Sequence, residues 1–360
     1  MKAVFKNLFK ILLCLVLIAA VGFGGLVGYL TLTEFKPEEK TPMSVSGQAK
    51  QTAAPGDTLR VAIWNIGYGA LDETADFFMD GGKRVFTQGT AGVQRNMAAM
   101  TACLKELAPD LLLLQEVDVD SSRSAHVREG DWLASGLSGY QSSFAYNYHV
   151  DFVPFPWPPL GKIRSGLQTM TRLPVTEAVR VQLPVPFSWP VRTANLKRCA
   201  MVSRIPLSGT DRQLVLVNLH LEAYDDGEGK AAQTGMLLNL LRQEADAGNY
   251  VIAGGDFNQT FPSVDSAKYP ATEGLWQPGV LDGDAFTQAG MQLVTDADHA
   301  TCRSLDRPLA GADTAHFQYY VIDGFIVSAN VEVLACETQQ LAFKYSDHNP
   351  LLMEVRLKAE

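Results

Sequence analysis

Positive charge is in short supply in this chain: 30 Lys and Arg stand against 39 Asp and Glu, for a formal net charge of -9. That argues against a broad basic footprint for nucleic acid, because affinity for a polyphosphate backbone comes mainly from Lys and Arg contacts. A local arginine cluster or a bound cation remains the route by which an acidic protein attracts phosphate. Cysteine is scarce too, with 5 residues and no short metal-type spacing among them. Cys14 falls in an apolar run, and Cys103, Cys199, Cys302 and Cys336 leave two readings open: two disulfides in an oxidising compartment, or four separate buried thiols. A domain of about 300 residues buries a large core without such staples. No internal period of repeat length is evident.

What the chain does have is one long hydrophobic run. From Ile11 to Leu32 no side chain is charged, and about 22 residues at 1.5 Å rise cross a hydrocarbon core of ~30 Å. Lys2, Lys6 and Lys10 precede it with no acidic residue among them, which places the N-terminus in the cytoplasm and the rest outside. Residues 1–33 therefore read as a basic stub and single-pass signal anchor in contact with the lipid bilayer. Secretion after cleavage near Ala19-Ala20 is the alternative, but the apolar run continues through Leu26, Val27, Tyr29 and Leu30. Setting aside the three lysines takes the remaining charge from -9 to -12. Residues 34–58, rich in Pro, Glu, Lys, Ser, Gln, Thr and Ala, lack periodicity and are expected to be a disordered tether. Residues 59–360 are expected to form one catalytic domain.

Within that domain apolar strands alternate with amphipathic helices. Leu59 to Ile66, Leu111 to Leu114, Leu214 to Leu221, Tyr250 to Ala253, Tyr320 to Val327 and Pro350 to Leu357 read as strands. Val93, Met97, Met100, Leu104 and Leu107 mark one helix, stopped by Pro109; Met236, Leu237, Leu240 and Leu241 mark another, with Gly248 as its C-terminal glycine. Polar residues stand at or near the strand ends: Trp64-Asn65, Gln115-Glu116, Asn218-Leu219-His220-Leu221-Glu222, Gly255-Asp256-Phe257-Asn258, Ile322-Asp323 and Ser346-Asp347-His348-Asn349-Pro350.

Those six ordered blocks resemble the endonuclease/exonuclease/phosphatase superfamily, whose members include nucleases, sphingomyelinases and inositol polyphosphate 5-phosphatases. The resemblance implies a four-layer α/β sandwich, here preceded by one transmembrane helix, and hydrolysis of a phosphoric ester. It places Asn65 and Glu116 at a divalent cation, with Asp347 either a further ligand or an assistant to His348. Mg2+ is the expected ion, with Mn2+ or Ca2+ as alternatives; such hard cations take carboxylate, amide and water oxygens. By the same resemblance His348 is the general base paired with Asp323, Asp256 and Asn258 hold the attacking water and the phosphoryl oxygens, and His220 meets the scissile phosphate or leaving group. Asp323 within its apolar strand is costly unless paired, which supports the dyad independently. A glycan on the Asn258-Gln259-Thr260 sequon would block the site, so that reading is set aside. Asn218 is a candidate supporting residue. His126, His299 and His316 read as surface or loop residues, and His149 as surface or cleft.

The substrate is expected to be a phosphodiester, in nucleic acid or in a phospholipid headgroup, and no protein partner is inferred. No Pro-Ser-Trp-Cys-Asp-Arg-like block lies near Asp323, which argues against the inositol phosphatase branch. Arg164, Arg198 and Tyr146 are candidate substrate contacts, with Arg172, Arg192 and Lys197 nearby. The apolar segment from Asp151 to Leu160, with Phe155 and Trp157, is either a lipid-facing lip or a loop packed on the sandwich edge. A reading of another class is a membrane-tethered binding module whose hydrolase site has decayed; an intact set of site residues argues against it.

Overall fold

The computed structural model describes residues 2–225 and 227–359. Fourteen strands carry its two sheets among those residues. They are β1 (Lys40–Pro42), β2 (Val45–Gly47), β3 (Thr58–Asn65), β4 (Leu111–Asp118), β5 (Gln141–Val153), β6 (Gly161–Thr171), β7 (Glu177–Gln182), β8 (Cys199–Pro206), β9 (Gln213–His220), β10 (Tyr250–Asp256), β11 (Met291–Val294), β12 (Asp323–Ser328), β13 (Val331–Thr338) and β14 (Leu351–Leu357). One sheet runs β13-β14-β3-β4-β6-β5-β2 and the other β1-β7-β8-β9-β10-β12-β11.

The inner strands are apolar on both faces, as strands covered on both sides must be. In β3 and β4, Val61, Ile63, Leu111 and Leu113 point between the sheets and meet Leu214, Leu216, Ile252, Phe325 and Met353 there. Their alternates Ala62, Trp64, Leu112 and Leu114 face outward and pack on Val93, Met97, Met100 and Leu104 of helix α2 (Thr90–Leu107). The second sheet repeats the plan: Val215, Val217 and Val251 meet Leu237 and Leu241, which belong to the helix Glu228–Asp246. The parallel pairs β3–β4 and β9–β10 are the ones these two helices connect. Helix, sheet, sheet and helix make the expected four-layer α/β sandwich.

The segment 34–58 is not a structureless tether. β1 pairs with β7 and β2 with β5, so this stretch lengthens one sheet and then the other. Glu34 has a side chain 3% exposed and lies 3.3 Å from Arg192 and 3.4 Å from Lys197. Composition misled here because edge pairing uses backbone groups and needs no apolar side chains.

The apolar run forms helix α1 (Lys2–Leu32), and Val4–Leu32 is long and apolar enough to cross a membrane. Its last turns touch the domain: Leu30 is buried, and Trp189 Nε1 donates to Thr31 Oγ1 at 3.1 Å. All five cysteines, each among the described residues, are free.

Candidate active site

The inner strands of both sheets end at one cleft, and register decides what stands there. Asp256, last in β10, lies opposite His220 on β9 and opposite Asp323 on β12. Asn65 ends β3, Glu116 falls where β4 breaks its pairing with β6, and Asp347 and His348 occupy the turn before β14. Hydrogen bonds fasten that turn. Ser346 Oγ donates to Asn65 O (2.8 Å), His348 N to Ser346 Oγ (3.2 Å), Trp64 Nε1 to His348 O (2.9 Å) and Arg303 N to Asp347 O (3.0 Å). A Cβ on Gly67, whose φ is +50°, would come within 2.8 Å of Asp347 Oδ1, so glycine is what lets the chain pass there.

Asp256 is the hub. Its Oδ2 accepts from Asn65 Nδ2 at 3.0 Å and lies 3.4 Å from His220 Nε2 and 3.7 Å from His348 Nε2; its Oδ1 accepts from Asn258 N at 2.9 Å. His348 Nδ1 is 2.8 Å from Asp323 Oδ2, which aims Nε2 at the Asp256 side. Burial and the neighbouring Asp323 carboxylate push Asp256 up to about 7. Burial likewise lifts Asp347 to about 6, with Glu116 adding repulsion. For His348 burial favours the neutral ring, but Asp323 and Cys302 together outweigh it and the pKa rises well above the ordinary value. His220 goes the other way: burial, then the positive charge of Arg198, keeps it neutral.

Three non-glycine residues at the cleft hold left-handed backbone: Tyr68 (φ 41°), Glu116 (φ 54°) and Asn258 (φ 50°). Strain of this kind persists where surrounding structure over-determines it, and it concentrates at functional sites.

The carboxylates of Glu116, Asp256 and Asp347 line one cleft, and carboxylate oxygens suit a hard divalent cation. Ligand atoms of Asp256, Asp323 and His348, and separately of Cys302, Asp347 and His348, lie within 4.8 Å of one another. Burial first, and then repulsion from neighbouring carboxylates, raises Asp256 and Asp347, and Asp323 Oδ1 has no hydrogen-bond partner among the described residues. A cation would relieve both conditions. Asn65 donates from Nδ2 to Glu116 at 3.3 Å as well as to Asp256, while its Oδ1 accepts from Gly67 N at 3.0 Å. In this arrangement its nitrogen, rather than its oxygen, faces the carboxylates.

The expected substrate contacts divide. Arg198 lines the cleft, 3.3 Å from Glu222 and donating to His220 O at 3.2 Å. Arg164 does not, because its guanidinium is drawn to Asp151 on the adjoining strand. Tyr146 is also outside the lining, packed edge-on to Phe35 and Phe144 and against His149. His149 therefore sits in an aromatic cluster rather than the cleft, and His126, His299 and His316 pair with acids at the surface. Asn218 bridges the sheets, accepting from Gln115 Nε2 at 2.8 Å and donating to Leu114 O at 3.1 Å. The sequence reading missed Arg123. This residue grips buried Asp118 with two nitrogens (3.0 and 3.1 Å), lies over the Tyr68 ring at 3.7 Å and reaches within 4.0 Å of Glu116. It sits in no motif, and only an acid at the end of β4 hinted at a cation there.

Residues 62–348 match the model of the Endonuclease/Exonuclease/phosphatase family. The chain belongs to that family. Among solved structures it is similar to an endonuclease/exonuclease/phosphatase from Beutenbergia cavernae DSM 12333, at 19% identity over 84% of this chain and 72% of that one, with a TM-score of 0.60. It is similar to the Bacteroides vulgatus endonuclease/exonuclease/phosphatase at 17% identity, over 84% of this chain and 100% of that one (TM-score 0.54). It also resembles ANGEL2, a 2',3'-cyclic phosphatase, at 15% identity, over 88% of this chain and 99% of that one (TM-score 0.56). No curated protein matches the chain. Family and fold together make this a phosphoesterase.

Proposed function

We propose that this family member is a membrane-anchored, divalent-cation-dependent phosphodiesterase whose catalytic domain lies outside the cytoplasm. The observation that carries the reading is the buried cluster in which Asp323, His348 and Asp256 stand in hydrogen-bond or near-contact sequence beside Asp347. Glu116 and Asp347, with Asn65 orienting Glu116, are the residues that would hold the cation, with Mg2+ the expected ion. When bound, such an ion neutralises charge on the phosphoryl oxygens.

The chain's own groups supply the rest. His348 accepts a proton from the attacking water at Nε2, and Asp323 stabilises the resulting imidazolium. Asp256 and Asn258, joined through the Asn258 N–H, position that water for in-line attack. Neutral His220 donates a hydrogen bond to the phosphate or leaving oxygen. Arg123 and Arg198, both lining the cleft, offset negative charge at its wall. Anchoring is supported by the length of α1, its exposed apolar surface and the lysines before it; the packing of Leu30 and Thr31 against the domain favours an uncleaved helix. The reading is tested by turnover of a generic phosphodiester by the full-length protein with and without EDTA. Loss in EDTA and restoration by added Mg2+ or Mn2+ is the expected result, and full activity in excess chelator would refute it.

A further inference from the structure

Helix α1 is longer than an anchor alone needs to be in its contacts. Phe23, Leu26, Val27 and Leu30 follow one another at i, i+3, i+4 and i+7, which puts them on one helix face. All four line the same cavity, of about 560 Å³, that Asp256, Asp347 and His348 also line. Along α1 the lined stretch from Phe23 to Leu30 is about 10 Å at 1.5 Å per residue. Leu30 is buried against the domain, while Phe23 at the far end is 66% exposed. The position of the helix is fixed where it leaves the membrane, by Glu34 between Arg192 and Lys197 and by the Trp189–Thr31 hydrogen bond.

The rim beside the helix is apolar and aromatic. Phe155 is 69% exposed, Trp157 88% and Trp189 56%, the pattern of side chains that settle at the headgroup level of a bilayer. Phe155 belongs both to this rim and to the cavity wall. Its neighbours Leu160 and Phe78 continue the apolar lining inward, toward the carboxylates. A site for a wholly polar, water-borne polyanion has no use for a hydrocarbon wall supplied by a membrane helix.

We propose that the anchor helix is itself part of the substrate site. On the phosphodiesterase reading, which this inference requires, the phosphate of a bilayer-resident lipid sits at the carboxylate–histidine cluster. Its hydrocarbon tail lies along the Phe23–Leu30 face of α1, and the substrate enters sideways from the membrane.

The test uses the full-length protein in phospholipid nanodiscs with two water-soluble probes that share a leaving group, methyl and hexyl p-nitrophenyl phosphate. Each methylene moved from water onto an apolar wall favours binding roughly fourfold, so burying four of them gives the hexyl ester a kcat/KM advantage on the order of 10²-fold. Val27→Trp, which fills the wall, and Leu26→Ala, which removes part of it, are each expected to shrink that ratio by roughly tenfold. Val21→Trp, on the opposite and exposed face of α1, is expected to keep the parent ratio. Equal kcat/KM for methyl and hexyl esters in the parent would overturn the inference while leaving the phosphodiesterase reading intact. So would a ratio unmoved by Val27→Trp and Leu26→Ala, or one moved equally by Val21→Trp. Faster cleavage of a single-stranded oligonucleotide than of the hexyl ester would also overturn it, in favour of nucleic acid. Hydrolysis of neither ester with any divalent cation would instead sink the phosphodiesterase reading itself.

Discussion

Asp323→Asn probes the centre of the site with little change of shape. The Asp323–His348 contact is 2.8 Å long, and the two side chains are only 2% and 5% exposed. Burial alone would drive the His348 ring toward its neutral form; the carboxylate, with Cys302 adding to it, reverses this and raises the pKa well above 6.5. Replacing the carboxylate by an amide removes the opposing charge, so the His348 pKa falls. With the neutral imidazole as the proposed base, the parent's rate is expected to rise with pH through the raised pKa, and the variant's rise to move to lower pH. The variant base is weaker and its tautomer is no longer fixed, so kcat drops by on the order of 10²-fold. Stability follows the same proton. A raised folded-state pKa gives a contribution fully present below the unfolded value of ~6.5 and lost as pH rises through the folded value. Each unit of that rise contributes about 1.4 kcal/mol. In metal-free buffer the melting-temperature gap between parent and variant is therefore expected to be wide near pH ~5.5 and to narrow as pH rises through the raised folded-state pKa. A gap independent of pH, together with an unshifted pH–rate profile, would refute the dyad.

Further outcomes are expected of other residues. Glu116→Ala raises the concentration of Mg2+ or Mn2+ needed for half-maximal turnover by tenfold or more, on the order of one charged ligand lost, and a metal titration of rate measures it. In His348→Ala combined with Asp323→Asn, the rate is little worse than in the more damaged single variant, since residues acting as a unit are not additive; multiplicative losses would separate them. Arg123→Met leaves the Asp118 carboxylate, 0% exposed, without its cation, at a cost of roughly 3–5 kcal/mol readable by urea denaturation. A soluble fragment starting at residue 56 lacks β1 and β2 and bares the edges of β5 and β7. It is expected to melt lower and aggregate more than a fragment starting at Glu34, as light scattering would show.

The sandwich, and many of the residues that stand together at the candidate site, were legible in the chain alone. Val61, Ile63, Leu111 and Leu113 had to be strand residues buried on both faces, and the spacing of Val93, Met97, Met100 and Leu104 had to be a helix, because hydrophobic periodicity is a local property that survives without neighbours. Polar residues at the ends of those runs were legible for the same reason, and Asp256, Asp323, His220 and His348 do come together. Everything that depends on pairing at a distance needed the folded chain. β1 and β2 carry no apolar signal, since their contribution is backbone hydrogen bonding to partners more than 90 residues away in sequence. Arg164 and Tyr146 looked free to meet substrate until Asp151 and Phe35 took them, while Arg123 gained its place from a fold that brings Tyr68, Glu116 and Asp118 around it. Most of all, a run of apolar residues states that α1 can enter a membrane, but which face of it turns toward the catalytic cleft is fixed by where Glu34 and Thr31 are held against the domain. Side-chain pairing is a property of three-dimensional neighbours, and no single segment encodes it.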